Sequence, residues 1–339
     1  MSEQLEIRID IADITEIQAD VLALKYARSF HGADRAVCRR MIDAGTEASE
    51  LSPEIGEHRL IPACSTLGAR SVLMVGTPTL SEFRYTAIRE FSAGILRYLA
   101  KEQPKTSSVA MTIHGPGYGL DEGESLSSQV RGYLDALDAG TLPPTLRRIS
   151  VVEKREARAF RLWQSLDKLL SDRPEAQKVE GEWAFRLPRR RAGATVPAPA
   201  PSPPSESKPH AFVAMPFTRP MDDVYYFGIE QPVHAMGLLC ERVDQASFTG
   251  HILDQIRERI DSAAVVIADL SGANPNVYLE VGYAWGRGRP TILLVQDVKD
   301  LRFDVQSQRC LVYERIIDLT RLLSNELQRL KSRGVLQLP

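Results

Sequence analysis

The sequence predicts two separate α/β units, and three observations carry that expectation. Residues 189–209, RRRAGATVPAPAPSPPSESKP, are too rich in proline, serine and alanine to build a core and divide the chain. On each side of them, short β-branched apolar runs alternate with amphipathic stretches of helical length. The length of 339 residues, with 43% apolar and 25% charged side chains, is ordinary for a soluble chain of two domains. The expected division is a first unit at 1–172, a linker at 173–209 that is proline-rich from 189, and a second unit at 210–339.

In the first unit LEIRIDI and DVLALKY have the composition of strands, 33–45 of a helix, and SVLMVGT (71–77) of a buried strand. A helix at 85–101, a strand at 108–115, a helix at 125–139, a strand at 149–153 and a closing helix at 157–170 follow. That order gives a three-layer α/β/α domain. Gly115, Gly117 and Gly119 stand just after a strand, where backbone N–H groups can cradle a phosphate; a tight turn that binds nothing is the other reading. No residue of this half suggests catalysis.

The second unit repeats the rhythm: strand 211–217, helix 223–236, strand 238–244, helix 252–260, strand 264–270. Asn274 then acts as an N-cap with Pro275 at the first helical position, so a helix runs from there to about Arg287, where Gly288 and Pro290 stop it. Strands at 291–296 and 310–314 and a helix at 318–331 complete the unit. Five strands with alternating helices fit a flavodoxin-like parallel sheet of order 2-1-3-4-5.

On the helix after the third strand, Asn276, Glu280, Tyr283 and Arg287 fall on one polar stripe, opposite Val277, Val281, Ala284 and Gly288. The polar stripe is expected to face the carboxyl edge of the sheet, where open α/β sheets place ligands. Glu280 is the candidate catalytic group, because a carboxylate in a largely apolar helix is costly to desolvate and is rarely kept for packing. Its plain alternative is a helix residue paired with Arg257 or Arg287. Asp269, ending the third strand, is the best second carboxylate, and Asp244, ending the second, comes next; either could hold ribose hydroxyls, or Asp269 could simply cap the turn. Met215, Pro216 and Phe217 form an apolar lip after the first strand that could stack a base or pack under the first helix. Asn274, Asn276 and Tyr283 complete the candidate substrate-binding set.

The set FVAMPF, Tyr225 to Ile229, ERVD, Ile252/Ile256/Ile260, VIADLSGANPNVYLEVGYAWGRGRPTILL and FDVQSQRCLVY resembles the nucleoside 2-deoxyribosyltransferase-like and TIR-like proteins of bacteria, over about 211–330. The resemblance implies cleavage of a base–ribose bond in a deoxynucleoside, a nucleotide or NAD, with Glu280 at the position of the family's glutamate. It implies no cofactor, NAD entering only as a substrate, and a homo-oligomer built through this half, with the helix from Asp318 a candidate contact. The first half resembles, more weakly, the macro domain and the N-terminal domain of leucine aminopeptidases. That likeness rests on DITEIQADVLALKYA, GARSVLMVG and GPGYGL, while Lys25–Tyr26 and HGAD (31–34) depart from the macro-domain ligand loops. A nucleotide-derived ligand in the first unit is what this second resemblance implies. Sensor joined to glycoside-cleaving effector is a design of bacterial antiphage defence, and that role is an implication of resemblance too. The alternative is a protein whose second unit binds a nucleotide without cutting it, for signalling or assembly.

A net charge of −2 argues against a general nucleic-acid binder, although LPRRRAG (187–193) is locally basic. No apolar run is long enough to span a membrane and MSEQLEIRID is too acidic for a signal peptide, so a cytoplasmic protein is expected. Cys38, Cys64, Cys240 and Cys310 are widely spread, and neither they nor the six histidines show metal-ligand spacing, so no metal site is expected.

Overall fold

The computed structural model describes residues 4–80, 82–189, 208–243 and 252–336. The chain divides into two compact units, one of 1–115 with 122–205, the other of 116–121 with 206–339.

The first unit runs β1 (Gln4–Ile11), β2 (Ala19–Tyr26), α1 (Gly32–Asp43), β3 (His58–Pro62), β4 (Ala69–Gly76), α2 (Tyr85–Glu102), β5 (Ser108–Met111), α3 (Glu122–Asp138), β6 (Arg148–Glu153), α4 (Glu156–Ser171), β7 (Gln177–Lys178) and β8 (Ala184–Pro188). Its eight-stranded sheet has the order β3-β4-β2-β5-β6-β1-β8-β7. The inner five strands are parallel, and β3, β8 and β7 add antiparallel edges. β2 is buried almost end to end, as a central parallel strand must be when both faces are covered. In β1, by contrast, Leu5, Ile7 and Ile9 are buried while Arg8 on the other face pairs with Glu6, Asp10 and Glu182. α2 and α3 cross closely because Gly132 has no side chain: a Cβ there would lie 2.3 Å from the Arg89 carbonyl oxygen. Arg89 then grips Asp135 on α3 with two bonds of 2.6 and 2.7 Å.

Two features depart from expectation. The hairpin of β7 and β8 occupies residues assigned to the linker: Leu187 pairs with Leu5, and Ala184, Phe185 and Leu187 are buried. Its strands are short and flanked by charge, so only their pairing with β1 gives them structure. β3 is an edge strand of five residues, three half-buried, one buried and an exposed closing proline, too brief for a periodic signal. The rest of the 189–209 stretch, from 190 to 207, lies outside the described residues.

The second unit runs β9 (His210–Ala214), α5 (Arg219–Asp223), a π-helical turn (Val224–Glu230), α6 (Gln231–Ala235), β10 (Leu239–Glu241), α7 (Ile252–Ser262), β11 (Val265–Asp269), α8 (Pro275–Gly286), β12 (Thr291–Val295), β13 (Cys310–Val312) and α9 (Ile316–Ser332). All five strands are parallel, in the order β10-β9-β11-β12-β13, the 2-1-3-4-5 arrangement. The helix expected at 223–236 is helical from Asp223 to Ala235, but it winds as a π-helix over Val224–Glu230 before returning to α-helix in α6. Pro232, in the first turn of α6, lacks the N–H that an unbroken α-helix would need.

One face of this sheet packs Met221, Ile229 and Val233 with Leu319, Leu323 and Leu327 of α9, and the other packs Ile256, Ile260, Val277, Val281 and Ala284. The apolar stripe of α9 is thus used within its own unit. The strand order reverses between β9 and β11, so the segments after their carboxyl ends flank the crevice where such sheets hold ligands. No helix among the described residues is long and apolar enough to cross a membrane. All four cysteines are free thiols, and burial pushes the Cys38 and Cys310 thiols up to about 12, the range of inert core cysteine.

Candidate functional site

β11 consists of five fully buried residues and delivers Asp269 to the carboxyl edge of the second sheet. The Asp269 carboxylate is wholly inaccessible: Oδ1 accepts the Ser271 N–H at 3.0 Å and Oδ2 accepts the Tyr313 hydroxyl at 2.6 Å. Ser271 Oγ accepts the Gln296 N–H at 2.9 Å, which ties the same loop to the end of β12. Gly272 and Ala273 both take left-handed backbone, at φ 72° and 50°. For alanine that conformation is uncommon and strained, and strained backbone held by surrounding bonds is a mark of ligand loops. The Gly272 N–H donates to Asp300 Oδ2 at 2.7 Å, and the Tyr278 hydroxyl donates to the Asp300 carbonyl at 3.0 Å.

α8 begins where expected. Asn274 is its N-cap, with Oδ1 accepting the Asn276 N–H at 3.0 Å, and Pro275 follows. Val277, Val281 and Ala284 are buried against the sheet, and Glu280 is half-buried on the flank of the helix.

The polar stripe does not face the carboxyl edge along its whole length. Its second half is anchored at the end of α7: the Tyr283 hydroxyl donates to Asp261 Oδ2 at 3.0 Å and Arg287 Nε to Asp261 Oδ1 at 2.7 Å. The Arg287 and Tyr283 bonds hold the Asp261 carboxyl below the usual aspartate value. Tyr283, expected beside a substrate, therefore bridges two helices. Arg257, one of the two alternative partners considered for Glu280, lies 3.4 Å from Asp254.

Of the two roles the sequence left open for Asp269, the geometry matches the turn cap. With no exposed surface and both oxygens engaged, it holds the loop in place and offers nothing to ribose hydroxyls. Met215 and Pro216 are buried, Met215 within the core, so of the apolar lip only Phe217, 40% exposed, reaches the surface. Asp244 lies outside the described residues.

Arg242, just past β10, was not singled out from the sequence. Its guanidinium lies 4.7 Å from the centre of the Phe217 ring and 4.1 Å from that of Tyr225. Tyr225 is itself fixed by donating its hydroxyl to the Cys240 carbonyl at 3.0 Å, and burial drives that hydroxyl well above its ordinary pKa. The signal present in the sequence was a cation at a strand end, in ERVD, followed by no indication of which rings would cover it.

A second polar group lies in the first unit. Lys25, at the end of β2, places Nζ 2.7 Å from Asp34 Oδ2 in α1 and 3.4 Å from His114 Nδ1. All three are buried, and burial together with the Lys25 charge pushes the His114 pKa well below 6.5, so the ring is neutral. Nδ1 facing an ammonium acts as acceptor, which puts the proton on Nε2. Lys25, where the sequence departs from the macro-domain ligand loops, is thus held in a buried ion pair. Of the candidate glycine loop, Gly115 and Gly119 have φ of 107° and 94° and Gly117 sits in a 3₁₀ turn between them; Gly115 belongs to the first unit and residues 116–121 group with the second.

Within that second unit Asp121, Glu230 and His234 bring ligand atoms within 4.8 Å of one another, a trio no sequence spacing could show. His234 Nε2 is 2.5 Å from Asp121 Oδ2, which also accepts the Cys240 N–H at 2.9 Å.

No protein-family model matches the chain, and no curated protein matches it. Solved structures similar to part of it include a Trypanosoma brucei macrodomain in complex with ADP, 20% identical, with 47% of this chain and 68% of that chain covered and a TM-score of 0.38. The same macrodomain in complex with ADP-ribose is 19% identical, with 48% and 68% covered and a TM-score of 0.38. An Oceanobacillus iheyensis macrodomain with MES bound is 15% identical, with 50% and 99% covered and a TM-score of 0.36. The similarity is to macrodomains, in fold, over about half of this chain.

Proposed function

We propose that the second unit cleaves the N-glycosidic bond of a nucleotide, nucleoside or NAD, with Glu280 as nucleophile or charge stabiliser. The observation that carries this reading is the placement of Glu280, half-buried on a capped helix that starts from a strained, hydrogen-bonded loop beside the switch point of the sheet. Breaking the bond between the anomeric carbon and the base nitrogen sends the bonding pair out with the base and leaves an oxocarbenium-like cation on the sugar. A carboxylate opposes that charge or closes on the carbon as a glycosyl ester, which water then hydrolyses to free sugar and regenerated carboxylate. Nicotinamide departs neutral from a cation and needs no acid; other bases need a proton from solvent or from a neighbouring group. Asp269 supports the chemistry by fixing the loop.

The first unit serves in this reading as a sensor for a nucleotide-derived ligand, and the whole chain as a defence effector that acts when the sensor is triggered. The test is to incubate the purified protein with NAD, deoxynucleoside monophosphates and deoxynucleosides and to follow free base by chromatography. Release of base from one class identifies the substrate. Binding without any release would instead identify a nucleotide-binding unit that performs no chemistry.

A further inference from the structure

We infer that Arg242 is a phosphate anchor, and that the ligand of the second unit is therefore a 5′-phosphorylated nucleotide rather than a free nucleoside. The inference rests on the nucleotide reading of this site and adds its substrate class.

Three observations support it. The first is burial without a strong acceptor. The Arg242 side chain is 13% exposed, yet its polar contacts among the described residues are a long ion pair to the half-exposed Asp222 Oδ1 at 3.6 Å, beyond hydrogen-bond length, and the Met215 sulfur at 3.7 Å, a weak acceptor. A guanidinium carries five donors and is costly to bury unless they are met. Here the cost is offset by ring faces at 4.1 and 4.7 Å, which stabilise the charge without occupying the N–H edge.

The second observation is rigidity. Tyr225 is buried and hydrogen-bonded, so one wall of the clamp cannot move. A stacked, planar fork of this kind suits bidentate binding of phosphate oxygens, and little side-chain entropy remains to be lost when the anion arrives.

The third is position. Arg242 follows β10 and the Glu280 helix follows β11, with β9 between them. At about 4.8 Å per strand spacing those two ends lie about 10 Å apart, the scale of a nucleotide laid across the switch point with its sugar near α8 and its 5′-phosphate towards β10. Phe217, the exposed member of the clamp, follows β9, the strand between them.

The phosphate could be that of a mononucleotide or the pyrophosphate of a dinucleotide, and the experiment separates the two. Full-length Glu280→Gln protein, with and without Arg242→Gln, is titrated calorimetrically with deoxyadenosine, dAMP, nicotinamide riboside and NAD. The expected result is that the phosphate raises affinity by about 30-fold within at least one pair and that Arg242→Gln removes this increment while leaving the nucleoside affinity within about 3-fold. The pair that shows the increment names the source. Equal affinity of nucleoside and nucleotide, an increment that survives Arg242→Gln, or no binding of any nucleotide overturns the inference. If Arg242→Gln does not fold, Arg242→Lys replaces it; a lysine keeps the charge but not the fork, so the increment should fall at least about 5-fold, and an unchanged increment overturns the inference. Failure of the cleavage reading shows separately, as wild-type protein that binds nucleotide and releases no base.

Discussion

The Tyr313 hydroxyl donates to Asp269 Oδ2 across 2.6 Å, with both side chains buried where β11 ends and β13 turns towards α9. This bond links the loop that precedes the Glu280 helix to the far strand of the sheet. Tyr313→Phe keeps the ring and leaves one carboxylate oxygen without its donor. The expected loss is about 1–3 kcal/mol, read as a lower denaturant midpoint with an unchanged slope.

The buried pair of Lys25 and Asp34 should show the asymmetry of buried charges. Asp34→Leu leaves an ammonium without its counter-charge and should destabilise the first unit by about 3–5 kcal/mol, whereas the double variant Lys25→Met with Asp34→Leu should recover most of that loss. Chemical denaturation of the single and double variants decides it, and equal stability of the two would show that the pair is not coupled.

His114 makes a prediction about pH. Its folded pKa lies well below 6.5, the value the unfolded chain has, so below 6.5 the unfolded state binds a proton that the folded state does not. The stability it confers is complete above that pH and is lost as pH falls through 6.5 towards the folded value. His31 and His58, also lowered by burial, act in the same direction. Wild-type protein should therefore melt at lower temperature at pH 5.5 than at pH 7.5, and His114→Gln should show a smaller difference between the two.

Removing the N-cap of α8 is a milder change. Asn274→Ala deletes the acceptor for the Asn276 N–H and should cost about 1 kcal/mol of stability. Since the cap sets where the Glu280 helix begins, any cleavage activity should fall by more than the stability loss explains, measured at a temperature where both proteins are folded.

Much of the fold was legible in the sequence because parallel strands covered on both faces leave continuous apolar runs, as VVIAD and TILLV do. Asn274 and Pro275 marked the start of α8 by capping chemistry alone. What escaped were elements that exist only through tertiary pairing, β3 and the β7–β8 hairpin, and the π-helical winding of Val224–Glu230 just before Pro232, which lacks an N–H. In the site, periodicity placed Tyr283 on the same stripe as Glu280, but the crossover helix runs along the depth of the sheet, and three residues past Glu280, at Tyr283, the stripe already meets Asp261 at the end of α7. Asp269 looked like a ligand because strand-end carboxylates often are; its burial depends on Tyr313, which lies 44 residues on. Arg242 needed the three-dimensional arrangement of Phe217 and Tyr225 to be noticed.

The most direct measurement is free-base release by Glu280→Gln beside wild type, on whichever nucleotide, nucleoside or dinucleotide the wild type cleaves. Glutamine keeps size and hydrogen bonding and removes the charge that opposes the oxocarbenium ion, so the rate should fall by at least about 10³-fold, about 4 kcal/mol of transition-state stabilisation, with substrate binding and folding kept. A folded Glu280→Gln protein that releases base at a rate near wild type would show that Glu280 is a structural helix residue and contradict the proposed function.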